Sequence, residues 1–154
     1  MICLCVIIFM KTLQGKFIPK NIHKYRGNYR NIIYRSSWEL KFMKYCDERI
    51  NVLEWGSEEV VIPYRSPLDN RIHRYFVDFY IKVRDANGNI NKYLIEIKPK
   101  KYTLPPQKPQ RQTKRYIHEV TEFVKNQAKW EAAKDFCDDR QWKFMVLTEA
   151  ELKV

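Results

Sequence analysis

Three residues in the middle of the chain have the types and the spacing to form a charged site. Asp78 stands in the run Tyr-Phe-Val-Asp-Phe-Tyr-Ile-Lys-Val at 75–83, and Glu96 and Lys98 stand in Lys-Tyr-Leu-Ile-Glu-Ile-Lys at 92–98. Two carboxylates with an ammonium nearby can pair with one another or bind a metal ion. Asp78 is flanked by Val77 and Phe79, with Ile81 and Val83 continuing an apolar face. A charge in such a strand is costly unless it is paired or bound to a metal.

Two strands must position these groups. Both runs are rich in β-branched and aromatic residues, and the link between them contains Asn87-Gly88, so the stretch from Tyr75 to Lys98 predicts an antiparallel hairpin. Strand side chains alternate, which puts Glu96 and Lys98 on one side, roughly 7 Å apart, and Ile95 and Ile97 on the other. The register decides whether Asp78 joins them. A two-residue turn at Asn87-Gly88 would pair Asp78 with Ile97 and leave the two carboxylates on opposite faces. A loop with an odd residue count, such as a type I turn followed by Gly88 as a left-handed bulge residue, sets Asp78 beside Glu96 or Lys98.

Composition points to a polyanionic partner. The 154 residues, enough for one domain with a core, carry a formal net charge of +11, and the charge is unevenly placed. No Asp or Glu precedes Glu39, while Lys20, Lys24, Arg26, Arg30 and Arg35 do. A second acid-free stretch from Ile97 to His118 contains Lys100, Lys101 and Arg111. Such runs, interleaved with Tyr25, Tyr29, Tyr34 and Tyr102, suit a phosphate backbone with stackable bases; solubility or a basic arm for another protein is the plainer alternative. Neither run has the apolar helical stripe of a membrane-surface segment, so no membrane partner is expected. Cys3, Cys5, Cys46 and Cys137 lack metal-ligand spacing, which favours a reduced, intracellular protein over a zinc protein.

The remaining elements follow in order. Residues 2–9 are apolar but too few to span a bilayer; they read either as an upstream-start extension, with translation truly starting at Met10, or as an extra strand or partner contact. Residues 1–35 are expected to be a basic N-terminal arm and 36–154 the folded domain. Ser36 predicts the N-cap of a helix to about Arg49. Ser36 and Glu39 stand at capping-box spacing, so Glu39 either closes the cap or leans toward the hairpin as a third carboxylate. A strand is expected over 58–64, the close of the second hairpin arm at 98–101, a proline-broken basic loop over 104–109, a long helix over 112–137 carrying Lys129, a strand over 142–147 and a last short helix from Thr148. The order α-β-β-β-α-β predicts an α/β (α+β) domain, a mixed sheet flanked by helices.

Asp on one strand and Glu-x-Lys on the next, with Val77 where proline is usual, resembles the PD-(D/E)xK nuclease superfamily, and the element order is similar to its restriction-endonuclease-like core. More specifically, Lys-Thr-Leu-Gln-Gly-Lys-Phe at 11–17, Tyr34-Arg35-Ser36-Ser37-Trp38-Glu39, Tyr75–Tyr80 and Val146-Leu147-Thr148-Glu149 resemble the head completion nucleases of tailed phages and, through them, the TnsA-like endonucleases of transposons. The resemblance implies a Mg²⁺-dependent DNA endonuclease acting in head completion after packaging, with Mn²⁺ as an alternative ion. Its catalytic set would be Glu39, Asp78, Glu96 and Lys98, and its metal set Asp78, Glu96, the Ile97 carbonyl and Glu39. Lys20, Lys24, Arg26, Arg30, Arg35, Lys100, Lys101, Arg111 and Lys129 would contact double-stranded DNA. The implied setting is the host cytoplasm during infection and the head and neck of the virion, with head, portal or neck proteins as partners. A non-catalytic DNA-binding head protein and a transposon endonuclease subunit are the alternative functions.

Overall fold

A computed structural model of the chain describes residues 13–154, so the readings made for residues 1–12 lie outside the described residues. The fold is built on a mixed four-stranded sheet of β3 (Val52–Ser57), β6 (Phe79–Arg84), β7 (Ile90–Ile97) and β8 (Lys143–Leu147), in that spatial order. The first three strands run antiparallel and β8 joins β7 in parallel. A parallel neighbour needs a long crossover, and the helix α2 (Lys114–Arg140) supplies it.

Strand alternation divides the core in two. Phe79, Ile81, Ile95 and Ile97 turn to one face, where the helix α1 (Ser37–Glu48) contributes Phe42, Met43 and Cys46. Tyr80 and Leu94 turn to the other, where α2 contributes Trp130, Ala133 and Cys137. The short α3 (Glu149–Leu152) opens on a capping box at Thr148 and Glu151 and adds Leu152 to the α1 side. No helix among the described residues is long and apolar enough to cross a membrane.

Two strand boundaries differ from the sequence expectation. The first core strand is β3, and the segment expected over 58–64 becomes β4 (Val61–Arg65), which pairs with β5 (Ile72–Phe76) in a separate two-stranded ribbon. The run 75–83 is therefore not one strand. Its first residues belong to β5, and Val77 and Asp78 form a short link into β6. Val77 N–H donates to Val60 O and Glu58 N–H to Asp78 O, at 3.1 Å each, so this link stays hydrogen-bonded to the strand entry beside it.

The hairpin of β6 and β7 closes through residues 85–89, an odd loop. Gly88 takes φ +83°, its N–H donates to Asp85 O, and Asp85 Oδ1 accepts from the N–H groups of Asn87 and Asn89, both at 2.9 Å. This is a type I turn followed by a left-handed glycine. The ladder then runs from Arg84 opposite Ile90 to Phe79 opposite Ile95. One step further sets Asp78 opposite Glu96.

The described part of the basic N-terminal arm expected over residues 1–35 packs onto the folded domain. β1 (Gly15–Phe17) pairs with β2 (Ile32–Tyr34), and Tyr25 and Ile32 belong to the buried core on the α1 side. Tyr25 bridges to Trp55 and Arg26 N–H donates to Trp55 O at 2.8 Å, covering the edge of β3. A Cβ on Gly56 would meet the Arg26 carbonyl at 2.9 Å, so this crossing needs glycine there. Basic composition hid the aromatic and aliphatic residues that anchor the segment.

Candidate active site

Asp78 and Glu96 meet on the α2 side of the sheet, where β6 begins and β7 ends. Asp78 Oδ2 accepts the Ile97 N–H at 2.8 Å across the ladder. Glu96 is buried, 7% exposed, and its Oε2 accepts a short hydrogen bond from the Tyr75 hydroxyl. Tyr75 reaches it from β5, on the inner face of the ribbon. Each carboxylate thus has one oxygen held by the protein. Burial first, and then the Glu96 charge, pushes the Asp78 carboxyl well above the usual carboxylate range. Burial likewise raises Glu96, while the Tyr75 hydroxyl and the Lys98 and Lys129 ammonium groups pull it down.

Cations complete the cluster. Lys98 follows directly on β7, where its N–H donates to Leu147 O at 3.0 Å, and its charge favours the ionised form of both carboxyls. Lys129, on α2, lies 5.5 Å from the Tyr75 ring centre and 5.9 Å from that of Tyr64. Burial and the Lys125 charge lower the Lys129 pKa, and the Glu96 charge opposes them. One residue on, the Trp130 indole N–H is buried with no hydrogen-bond partner among the described residues, close enough to Glu96 to help hold its carboxyl down. Beside Lys98, a groove of about 860 Å³ opens between the loop carrying Lys101 and Tyr102 and the first half of α2, where the buried Asn126 lines it.

Ser36 caps α1, and the Glu39 carboxylate binds the residue before the cap. The Glu39 N–H donates to Ser36 Oγ at 3.1 Å, and its Oε2 accepts the Arg35 N–H at 2.8 Å. Its charge still reaches Asp78, raising that carboxyl further. Among the described residues no three His, Cys, Asp or Glu side chains form a metal-binding group, so the carboxylate cluster is the pair Asp78 and Glu96. That pair fits a hard divalent cation such as Mg²⁺, which takes one or two carboxylates and keeps much of its water. Asp78 Oδ1 and Glu96 Oε1 accept no hydrogen bond from a donor among the described residues.

The proposed DNA contacts fare unequally. Lys24 is corrected: it is 8% exposed, and its ammonium donates to Asp47 O at 2.9 Å and Arg49 O at 2.7 Å, tying down the C-terminal end of α1. Arg35 holds Glu58 through two hydrogen bonds of 2.9 and 3.1 Å. Lys20 pairs with Glu48 and Arg26 with Glu54, both at 3.3 Å. Arg30, Lys100, Lys101 and Arg111 are exposed and none of their side chains has a carboxylate partner among the described residues, although the Lys100 backbone N–H donates to Glu149 Oε2 at 2.9 Å. Tyr75 and Trp130 escaped the sequence reading as site residues. Tyr75 stood three residues from Asp78 in what read as one strand, which would have sent the two to opposite faces; only the break at Val77 brings its hydroxyl to Glu96.

The TnsA-like endonuclease N-terminal family matches residues 50–149. The chain is 43% identical over 144 residues to the head completion nuclease of Enterobacteria phage T4, a similarity that covers 91% of this chain and 93% of that protein. The family match takes in β3 through β8 with Asp78, Glu96, Lys98 and Lys129, and the chain belongs to the TnsA-like endonuclease N-terminal family, with a restriction-endonuclease-like fold.

Proposed function

We propose that this chain is a Mg²⁺-dependent DNA endonuclease that acts in phage head completion. The observation that carries the proposal is the pairing of Asp78 with Glu96 in a buried spot, where burial holds both carboxyls above their usual range and Lys98 and Lys129 stand beside them. Two carboxylates pressed together without a cation between them are an electrostatic cost that a functional site accepts and an ordinary core avoids. The T4 relative, named a head completion nuclease, supplies the biological setting.

The roles follow from placement. Asp78 and Glu96 would hold the ion through their unengaged oxygens, with the Ile97 carbonyl adding a third, and a bound Mg²⁺ would supply Lewis-acid stabilisation of the phosphoryl group. The Ile97 N–H and the Tyr75 hydroxyl fix the carboxylates so that they need not reorganise when substrate arrives. Lys98 orients the attacking water and neutralises charge developing on the phosphoryl oxygens. Lys129, anchored over two tyrosine rings, draws the phosphate toward the carboxylate face. Glu39 positions the start of α1 and adds negative potential. Double-stranded DNA is the substrate, held by Arg30, Lys100, Lys101 and Arg111, and the protein works in the host cytoplasm during infection beside head, portal or neck proteins.

Incubating the purified protein with supercoiled plasmid, with Mg²⁺ and with EDTA, tests the proposal. Nicking that requires the metal and disappears in Lys98→Ala supports it. No nicking with Mg²⁺ or Mn²⁺, together with DNA binding that survives, would replace it with a non-catalytic DNA-binding role.

A further inference from the structure

The ribbon of β4 and β5 has a face that neither core uses. Its register pairs Val61 with Phe76, Pro63 with Arg74 and Arg65 with Ile72, and these six side chains alternate with the buried Ile62, Tyr64 and Tyr75. All six are exposed, Ile72 by 60% and Phe76 by 47%. The Arg74 guanidinium lies 5.6 Å from the Phe76 ring centre, and Arg65 Nη1 donates to Asn70 O at 2.8 Å. Neither arginine has a carboxylate partner among the described residues. The hairpin's own carboxylate, Asp69, is occupied by His73 at 2.7 Å, and His73 alternates to the other face.

We propose that this outer face is a contact for duplex DNA that sets the substrate's position relative to the candidate active site. The proposal rests on the nuclease reading and names a binding surface for it. Arg65 and Arg74 meet phosphates, and Phe76 and Ile72 pack on sugars and base edges. Three observations favour DNA as the occupant. The face is positive with no acid of its own. It is continuous with the site, since Phe76 leads through Val77 to Asp78 while Tyr75, on the reverse side, holds Glu96. Its size is also telling: two strands of about 16 Å, about 5 Å apart, fall far short of the ~800 Å² per partner of a stable protein interface, whereas a two-stranded ribbon is of a width that the major groove admits.

The test is a binding titration of a duplex oligonucleotide in EDTA, over a series of salt concentrations, with the full chain. Losing two phosphate contacts in Arg65→Gln/Arg74→Gln should lower the slope of log K against log salt by about 1.8, and Arg65→Lys/Arg74→Lys should restore it. Phe76→Ala should leave the slope alone and weaken binding roughly 10-fold, the size of one aromatic contact to nucleic acid. Unchanged slope and affinity in folded variants would overturn the proposal, as would wild-type protein that does not bind duplex DNA; variants that bind DNA normally but fail in particle assembly would assign the face to a protein partner. The two readings fail separately. A wild type that nicks plasmid while the variants bind as it does removes only the ribbon contact, and one that binds through the ribbon but never nicks removes only the nuclease.

Discussion

Removing the Asp78 charge should make the metal-free protein more stable, although it destroys the proposed site. Directly opposite residues of an antiparallel pair bring their side chains within about 5–7 Å, and two unit charges at that distance in an effective dielectric near 20 repel by roughly 2–3 kcal/mol. Lys98 and Lys129 offset part of this. Asp78→Asn keeps an oxygen to accept the Ile97 N–H, so its net gain in EDTA at pH 8 should be about 1–2 kcal/mol, or roughly 3–6 °C in Tm for a domain of this size. The sign with pH can be worked out. Both carboxyls are raised in the folded state, chiefly by burial, so the stability they contribute is complete below the carboxylate range of the unfolded chain and is lost as pH rises through the folded values. The advantage of Asp78→Asn is therefore present at pH 8 and shrinks on acidification. Millimolar Mg²⁺ should stabilise the wild type by mass action and leave the variant nearly unmoved. Thermal unfolding with and without Mg²⁺ reads all of this. An Asp78→Asn protein less stable than wild type in EDTA at pH 8, or one that gains as much from Mg²⁺ as the wild type does, would refute the account of the site as a repelling carboxylate pair that a cation relieves.

Other outcomes follow from single residues. Lys98→Ala should abolish plasmid nicking while leaving Tm and DNA binding in Ca²⁺ near wild type; loss of binding instead would make Lys98 a phosphate anchor. Tyr75→Phe removes the donor to Glu96 Oε2 and should weaken metal binding in calorimetric titration by roughly 10-fold or more, with the fold intact by circular dichroism. Lys24→Ala removes two charge-assisted hydrogen bonds, to the Asp47 and Arg49 carbonyls, which keep Asn21 Nδ2 and the Val52 N–H as donors, and should cost about 1.5–3 kcal/mol in urea unfolding, yet leave the salt slope of DNA binding unchanged, because Lys24 is buried. Replacing Arg30, Lys100, Lys101 and Arg111 together by glutamine should lower that slope by about 3.6 if each meets one phosphate; an unchanged slope would remove them from the DNA surface.

Much of the site was legible in the sequence because its key relations are local or periodic. Glu96 and Lys98 share a side by strand alternation alone. Gly88, able to take positive φ, marks the odd loop on which the register of Asp78 depends. The Ser36 cap is a matter of spacing, and the Glu39 N–H donates to it, while the Glu39 carboxylate accepts from the Arg35 N–H one residue earlier. What stayed hidden is long-range. Nothing near Lys24 announces that its ammonium will cap a helix ending more than twenty residues later, and a count of basic residues cannot see that Lys20, Arg26 and Arg35 meet carboxylates of α1 and β3 and just beyond it. The strand β3 contains Gly56, which weakens strand propensity and is there because Arg26 crosses it. The break at Val77 lies within a run whose composition is uniformly that of a strand. Only the competing partners, Val60 for Val77 and Ile95 for Phe79, divide it.

That break has a mechanical consequence. Asp78 is joined to the base of the ribbon by a single intervening residue, and Glu96 is tied to the same base by the hydroxyl of Tyr75. The ribbon thus reaches both carboxylates, one by covalent chain and the other by a hydrogen bond, while β7 holds both as well, Glu96 through its own backbone and Asp78 through the Ile97 N–H. A load on β5 would therefore be felt at both oxygens, against a sheet that resists it. A strand that ran unbroken from Tyr75 to Val83 would have locked Asp78 into the sheet and left Glu96 without this tether.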